Sequence, residues 1–296
     1  MDYLAQVQKG IDLIEVRLDT DIEPAEIARQ AGISQWHFQR IFKALTNETL
    51  KTYIRSRRLA NALDKLASTN ERVLDIALTA GFESQESFTR AFSKAFGVPP
   101  ADYRRRSTEF QFLRKVKFDQ DYLRHINQNL SLEPEIYAQP EMRLVGLRTV
   151  FFSVDSEKNN MAAKLPGLWN DFLSRLGTVE NQIGKLCYGV VRQTAGKTDE
   201  LEYYAVTEVP SLEGMPPGMI SITLPAQTYA RFTHQGQIEN LDRTVNYIYS
   251  TWLAGSSHQH TYGADIEFYG PGYQADSDQS LMHYAIPIHT AAQQQG

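Results

Sequence analysis

Two short segments of the chain combine side chains that suit the edges of DNA bases with side chains that suit phosphate groups. Arg can donate two hydrogen bonds to guanine and Gln can pair with adenine, while Ser, Thr and Lys commonly contact phosphates. In both segments these residues fall on the helical faces that an apolar stripe leaves open. The residues expected to face solvent and contact DNA are Trp36, Gln39, Arg40 and Lys43 in the first segment and Gln85, Ser87, Thr89 and Arg90 in the second.

The two segments are copies of one motif. Residues 27–42 read IARQAGISQWHFQRIF, and residues 76–92 read IALTAGFESQESFTRAF with Glu83 as a one-residue insertion. In the first copy the apolar stripe ends at Gly32, which can adopt the left-handed conformation that closes a helix. Ser34 follows, and its side-chain oxygen can cap the next helix. Because the second copy repeats this pattern, each copy predicts a helix–turn–helix unit.

The residues between the copies, LKTYIRSRRLANALDKLA, predict one long helix that would hold the two units apart. Two units on one rigid monomer would meet successive major grooves about 34 Å apart on one face of DNA. A single copy has a plainer alternative, an ordinary packed pair of helices, but the duplication favours DNA binding. The basic residues that are further candidates for phosphate or surface contacts are Arg55, Arg57, Arg58 and Arg104 to Arg106.

The net charge of −5 argues against a nucleic-acid partner only if it is evenly spread. It is not, because residues 1–107 carry +2 and residues 108–296 carry −7, and within the first part residues 36–106 carry +6. Such asymmetry indicates a nucleic-acid surface on one domain. The alternative is two solvated surfaces that merely differ in composition.

These residues carry a resemblance to a known family. The segments SQWHFQRIFKALT and GFESQESFTRAFSKAFGVPPADYRR resemble the MarA/SoxS/Rob branch of the AraC/XylS transcription activators. The resemblance implies a regulator that binds promoter DNA as a monomer and recruits RNA polymerase in the bacterial cytoplasm. It also implies that Trp36, Gln39 and Arg40 contact bases or the adjacent backbone in the first groove, and that four residues do so in the second, namely Gln85, Ser87, Thr89 and Arg90. Glu86 departs from the branch, which often has Gln there, and an acid at this position costs phosphate affinity or shifts preference toward cytosine.

The sequence pattern changes from about residue 139 onward, where β-branched and aromatic runs alternate with polar residues as in strands. The order strand–helix–strand–strand occurs twice, and Trp169 and Trp252 occupy similar places in the two helices. This order predicts an α+β sheet packed on helices. It resembles the GyrI-like effector-binding domain, through a final IPI and an acid in IEFY. That resemblance implies a small cationic or amphipathic effector bound between the two halves.

A cation site needs a buried carboxylate and aromatic faces. Glu267 lies in a strand between Ile266 and Phe268 and is the expected ligand carboxylate; the alternative is that it points to solvent. His283 stands where relatives commonly have Glu, which weakens a strict preference for cations. The residues expected to line the pocket are Glu267, Trp169, Tyr188, Phe232, Tyr269 and His283.

Other functions find little support in the residues. The chain has no GxSxG, P-loop or GxGxxG motif, so we expect no enzyme and no cofactor. Cys187 is expected in the core, and His258 and His260 are too few ligands for a metal site. One cysteine fits a reducing cytoplasm, and no apolar run approaches the roughly 20 residues of a membrane helix. The alternative is a protein that sequesters a small molecule and binds DNA only secondarily. A second alternative is an enzyme whose C-terminal domain is hydrolytic, but the chain shows no pair of nucleophile and base for it.

The predicted organisation follows from these patterns. We expect an all-α DNA-binding domain with two helix–turn–helix units at 1–106 and a linker at 107–138. An α+β domain with duplicated strand–helix–strand–strand architecture is expected at 139–290, before a tail at 291–296. The second domain would bind the effector, and the first would read DNA.

Overall fold

The computed structural model describes residues 3–106, 132–195 and 199–290, with the side chains of Arg106 and Thr290 excluded. The chain divides into two compact units, the first helical and the second built on a sheet. The boundary between the units lies outside the described residues, as do most of the predicted linker and the whole predicted tail. No helix in the described ranges is long and apolar enough to cross a membrane.

The described part of the first unit, residues 3–106, contains seven helices. They are α1 (Tyr3–Val16), α2 (Pro24–Ala31), α3 (Gln35–Thr46), α4 (Leu50–Ser68), α5 (Val73–Thr79), α6 (Gln85–Phe96) and α7 (Pro100–Arg106). The pairs α2–α3 and α5–α6 are the two predicted helix–turn–helix units, and α4 is the predicted long helix between them. The all-helical prediction for this part of the chain is confirmed.

The turns form for local reasons. Gly32 ends α2 at φ 74°, and its N–H donates to the carbonyls of the last helical turn. Ser34 then accepts from the backbone N–H of His37 and caps α3. In the second helix–turn–helix unit Gly81 has φ 76°, and Ser84 accepts from the N–H of Ser87 at the start of α6. The predicted turn chemistry is thus confirmed in both copies.

Each helix–turn–helix unit has its own aromatic centre. Phe38 and Phe42 of α3 are fully buried, as are Phe88 and Phe92 of α6. Phe92 also contacts the ring of Tyr103 in α7, with ring centroids 5.9 Å apart. These phenylalanines fall at i and i+4 on one helical face and are packed as predicted, whereas Ala95, predicted on the same stripe of α6, is exposed.

The second unit contains nine strands among the described residues. They are β1 (Glu135–Gln139), β2 (Met142–Phe151), β3 (Cys187–Gln193), β4 (Leu201–Glu208), β5 (Ile220–Leu224), β6 (Gln227–Gln235), β7 (His258–His260), β8 (Asp265–Tyr269) and β9 (Leu281–Thr290). Eight form one antiparallel sheet in the order β1-β6-β9-β8-β3-β4-β2-β5, and β7 pairs with β9. Strand β1 falls within the stretch expected as linker, so the sheet begins four residues earlier than expected.

The described residues of the second unit also form two longer helical segments. Helix α8 (Met161–Arg175) packs against β2 and β4. Helix α9 (Leu241–Tyr247) continues through a π-helical segment, Ile248–Trp252, to a last turn at Leu253–Gly255. The duplicated order is therefore β2-α8-β3-β4 and β6-α9-β8-β9, which confirms the predicted architecture. The two halves meet in the sheet where β3 pairs with β8.

The two faces of the sheet differ in chemistry because successive residues of a strand point to opposite faces. One face carries an apolar core that includes Tyr188, Val190, Tyr204 and Phe268. We call it the core face. The other face carries Tyr203 and Glu267, and Trp169 of α8 reaches it. We call it the helix face, and it holds the polar cluster described below.

Candidate nucleic-acid interface and ligand site

Helix α6 presents the surface that the sequence predicts. Phe88 and Phe92 anchor its inner face, which leaves Gln85 and Arg90 exposed and Ser87 and Thr89 partly exposed on the outer side. The outer side also carries Glu86, whose carboxylate lies 3.2 Å from Nη1 of Arg90. The predicted base-contacting residues of the second helix–turn–helix unit are therefore accessible.

Helix α3 differs from its copy. Trp36, Gln39 and Arg40 are only 2%, 9% and 8% exposed, and Lys43 is partly exposed. The expectation that all four face solvent is therefore wrong for the first three. Helical periodicity identifies the apolar stripe, but it cannot tell whether the other side of the helix is also covered. A base contact by α3 requires this side to become exposed.

Local contacts organise the buried side of α3. The Trp36 ring meets the His37 ring edge-on with centroids 4.6 Å apart, and the Arg40 guanidinium lies 6.0 Å from the Trp36 centroid. His37 also pairs through Nδ1 with the hydroxyl of Ser34 at 2.7 Å. An edge-on aromatic contact and a cation–π contact thus hold these side chains together.

Most of the candidate basic residues outside helices α3 and α6 have structural partners. Arg57 forms an ion pair with Glu15 at 2.8 Å, and Arg58 donates to the carbonyls of Leu18 and Thr20. These contacts fasten α4 to the end of α1. Arg55 alone of the three on α4 is exposed, and its guanidinium lies over the Phe82 ring.

The arginines of α7 are also engaged. Arg104 donates to the carbonyls of Leu66 and Glu71, and Arg105 forms an ion pair with Asp102. The side chain of Arg106 lies outside the described part of the chain. Of the arginines on α4 and α7 whose side chains are described, Arg55 is therefore the one whose surroundings suit a phosphate contact best.

The centre of the second unit holds a buried carboxylate. Glu267 of β8 is 8% exposed, which excludes the alternative that it points to solvent. Its Oε2 accepts a hydrogen bond from Tyr203 at 2.5 Å and another from Tyr269 at 2.8 Å. Buried charges need such partners, because removing them from water is otherwise too costly.

An aromatic wall surrounds this carboxylate. The indole N–H of Trp169 donates to the Tyr203 hydroxyl at 3.0 Å, and its ring packs edge-on against Tyr269 at 4.9 Å. Tyr273 packs against Tyr269 at 4.8 Å, and its buried hydroxyl has no hydrogen-bond partner among the described residues. We call Glu267, Tyr203, Tyr269, Tyr273 and Trp169 the Glu267 cluster.

A glycine makes room for the cluster. Gly189 of β3 stands opposite Glu267 in the strand register. A Cβ atom at this position would collide with the Glu267 carboxylate and the Tyr203 hydroxyl. The absence of a side chain at Gly189 is therefore what lets the carboxylate and the phenol meet across the junction of the two halves.

The tyrosines of the cluster remain protonated donors. Burial raises the pKa values of Tyr203 and Tyr269 well above those of exposed tyrosines, and the nearby Glu267 charge raises them further. Burial likewise raises the pKa of Tyr273 to about 12. The hydroxyls of Tyr203 and Tyr269 therefore stay protonated and donate their hydrogen bonds to Glu267.

The structure separates the six residues expected to line one pocket. Trp169 and Tyr269 lie beside Glu267. Phe232 is on the same sheet face but packs against Trp252, in the other half. Tyr188 and His283 are each the strand partner of Phe268, on β3 and β9, and therefore lie on the core face. The expectation that they line the same pocket as Glu267 is thus wrong. The sequence reasoning missed Tyr203, Tyr273 and Gly189.

A second buried polar cluster lies two residues away along β8. Asp265 accepts from the hydroxyls of Tyr249 and Tyr284 at 2.8 and 2.6 Å, and it pairs with Nε2 of His260 at 3.0 Å. The Nδ1 atom of His260 accepts from the N–H of Tyr262, which assigns the proton to Nε2. These mutual hydrogen bonds give the cluster a structural role.

The single cysteine, Cys187, lies at the start of β3. It is half-buried, and burial raises the pKa of its thiol.

Comparisons with known proteins agree with this two-part organisation. Residues 27–106 match the model of a helix-turn-helix domain, and residues 135–288 match that of the integron-associated effector binding protein. Transcriptional regulator Rob of Salmonella typhimurium is 30% identical over 92% of both chains. Right origin-binding protein of Escherichia coli K12 is 28% identical over 93% of both.

Among solved structures, an integron cassette protein from the mobile metagenome of Vibrio cholerae covers 54% of this chain and all of its own. Its identity is 18% and its TM-score is 0.40. Because the relatives match over nearly their full length, both units of this chain have counterparts in them. The chain belongs to the AraC-type, Rob-like family of DNA-binding transcriptional regulators, in which a helix-turn-helix domain is joined to an effector-binding domain.

Proposed function

We propose that the protein activates transcription by binding an asymmetric promoter site as a monomer and reading two successive major grooves. The observation that carries this proposal is the duplication of the reading unit. Helices α3 and α6 have the same serine cap and the same preceding glycine turn, and the 19-residue α4 joins the two units. Two such helices on one chain suit a site of about 20 base pairs.

Reading both grooves requires a change at α3. The outer residues of α6 are accessible, whereas Trp36, Gln39 and Arg40 are buried. We expect α6 to bind its groove first and α3 to follow once its outer side is exposed. The burial of α3 also favours the alternative of a small-molecule sequestering protein whose DNA binding is secondary.

The Glu267 cluster is the proposed effector site. A buried carboxylate held by two phenols and flanked by Trp169 suits a small cationic or amphipathic molecule, since aromatic faces and a negative charge both attract cations. Effector binding would then change the activity of the DNA-bound protein. Recruitment of RNA polymerase follows from the family and is part of the same proposal.

Footprinting on DNA selected from a random pool tests the proposal. We expect protection of two segments one helical turn apart, and binding that weakens steeply with salt. Arg90→Ala should remove protection of one segment and Arg40→Ala that of the other. Protection of a single segment that Arg40→Ala leaves unchanged would exclude two-groove reading, and the absence of any preferred sequence would favour the sequestering alternative.

A further inference from the structure

Glu86 and Arg90 form an ion pair on the most exposed side of α6. Their side chains are 79% and 73% exposed, and Nη1 of Arg90 lies 3.2 Å from Oε1 of Glu86. They stand one helical turn apart, with Glu86 in the first turn of the helix. In a helix–turn–helix unit the residues at the start of the second helix are those that reach the base edges. The pair is therefore placed to meet bases together.

The chemistry of this pair determines which donors and acceptors it can offer to a base pair. A guanidinium has five N–H donors in a planar fork, so one bond to Glu86 leaves Arg90 with a parallel pair of donors. The second oxygen of Glu86 is an acceptor beside them. Read along the pair, the pattern is donor, donor, acceptor.

A G·C base pair presents the complementary pattern in the major groove. Guanine offers two acceptors, N7 and O6, and the paired cytosine offers one donor, N4. We infer that Glu86 and Arg90 read a single G·C pair as one unit, with Arg90 donating to N7 and O6 and Glu86 accepting from N4. This inference rests on the proposed function in one respect, that α6 enters a major groove.

The same pattern discriminates against the other base pairs to different extents. An A·T pair places the N6 donor of adenine against the donors of Arg90 and the O4 acceptor of thymine against the carboxylate of Glu86. A reversed C·G pair puts its donor at the wrong end of the row. In these two pairs like groups face each other, so repulsion adds to specificity, whereas a T·A pair is disfavoured because a thymine methyl replaces the N7 acceptor opposite the first donor of Arg90.

The test uses the full-length protein and its selected DNA site. At the expected G·C pair, cytosine is replaced by 2-pyrimidinone, which lacks the N4 amino group, or guanine by 7-deazaguanine, which lacks N7. For the unchanged protein each replacement should weaken binding about tenfold. For Glu86→Ala the loss on removal of N4 should disappear, while the loss on removal of N7 should remain.

Glu83→Ala is the matched control, because Glu83 is an exposed acid just before the Ser84 cap and outside α6. It removes the same charge and should keep the sensitivity of the unchanged protein to both replacements. If Glu86→Ala is as sensitive to removal of N4 as the unchanged protein, the inference is overturned while the proposed function stands. If the unchanged protein selects no sequence at all, the proposed function fails as well.

Discussion

The hydroxyl of Tyr203 donates a hydrogen bond to Oε2 of Glu267 at 2.5 Å, across 64 positions of the chain. Tyr203 belongs to β4 in the first half of the sheet unit and Glu267 to β8 in the second. Strand β3 lies between them and contributes Gly189. The bond therefore forms only when both halves pair, and the carboxylate site is a product of the whole unit.

Removal of the Glu267 charge should weaken cation binding selectively. Glu267→Gln keeps the shape of the side chain but loses the negative charge. We expect the affinity for a lipophilic phosphonium cation to fall at least about tenfold, or ~1.4 kcal/mol. The affinity for neutral triphenylphosphine oxide should change little. Calorimetric titration of both compounds measures this, and equal losses for the two would contradict a role for the charge.

A methyl group at Gly189 should disrupt the cluster. Gly189→Ala forces Glu267 and Tyr203 apart, because the added Cβ would occupy their space. We expect a loss of about 1–3 kcal/mol in the free energy of unfolding, together with weaker phosphonium binding. Gly167→Ala in α8 is the control, since a Cβ there has no neighbour within 4 Å. Urea denaturation compares the two, and equal stability of both variants would refute the steric explanation.

Alkaline pH should destabilise the sheet unit. Burial raises the pKa values of Tyr203 and Tyr269, so the folded state keeps protons that the unfolded state releases near pH 10. Stability is then complete below about pH 10 and falls above it, by at most ~1.4 kcal/mol per pH unit for each tyrosine. Urea unfolding followed by circular dichroism from pH 8 to 11 measures the slope. Tyr269→Phe should make it shallower, and an unchanged slope would count against this cause.

Substitution of Arg55 should affect DNA binding but not stability, whereas substitution of Arg57, also on α4, should affect stability but not DNA binding. Arg55 is exposed, so Arg55→Gln should reduce the salt dependence of DNA binding by about one unit in the logarithmic slope and leave stability unchanged. Arg57 is paired with Glu15, so Arg57→Gln should lower the unfolding free energy by about 1–2 kcal/mol and leave the slope unchanged. Salt titrations and urea denaturation of both variants test the pair. A reduced slope for Arg57→Gln would overturn the structural assignment.

The sequence by itself determined the local features of this protein. The Gly32 and Ser34 turn, its copy at Gly81 and Ser84, and the phenylalanine stripes could all be predicted, because capping and helical periodicity depend on residues a few positions apart. The duplicated strand–helix–strand–strand order was equally visible. Glu267 could be singled out because it lies between Ile266 and Phe268 in a strand and matches the acid of the family that this part of the chain resembles.

Only the tertiary structure decided which residues meet. Tyr203 and Tyr204 are adjacent and alike, and strand pairing alone sends the first to Glu267 and the second to the apolar core. The same alternation moved Tyr188 and His283 to the core face. The burial of Trp36 and Arg40 was equally hidden, since α3 and α6 share one pattern but differ in exposure. Local patterns determine where each helix and strand begins and ends, whereas the packing of the folded chain determines which of its faces are covered.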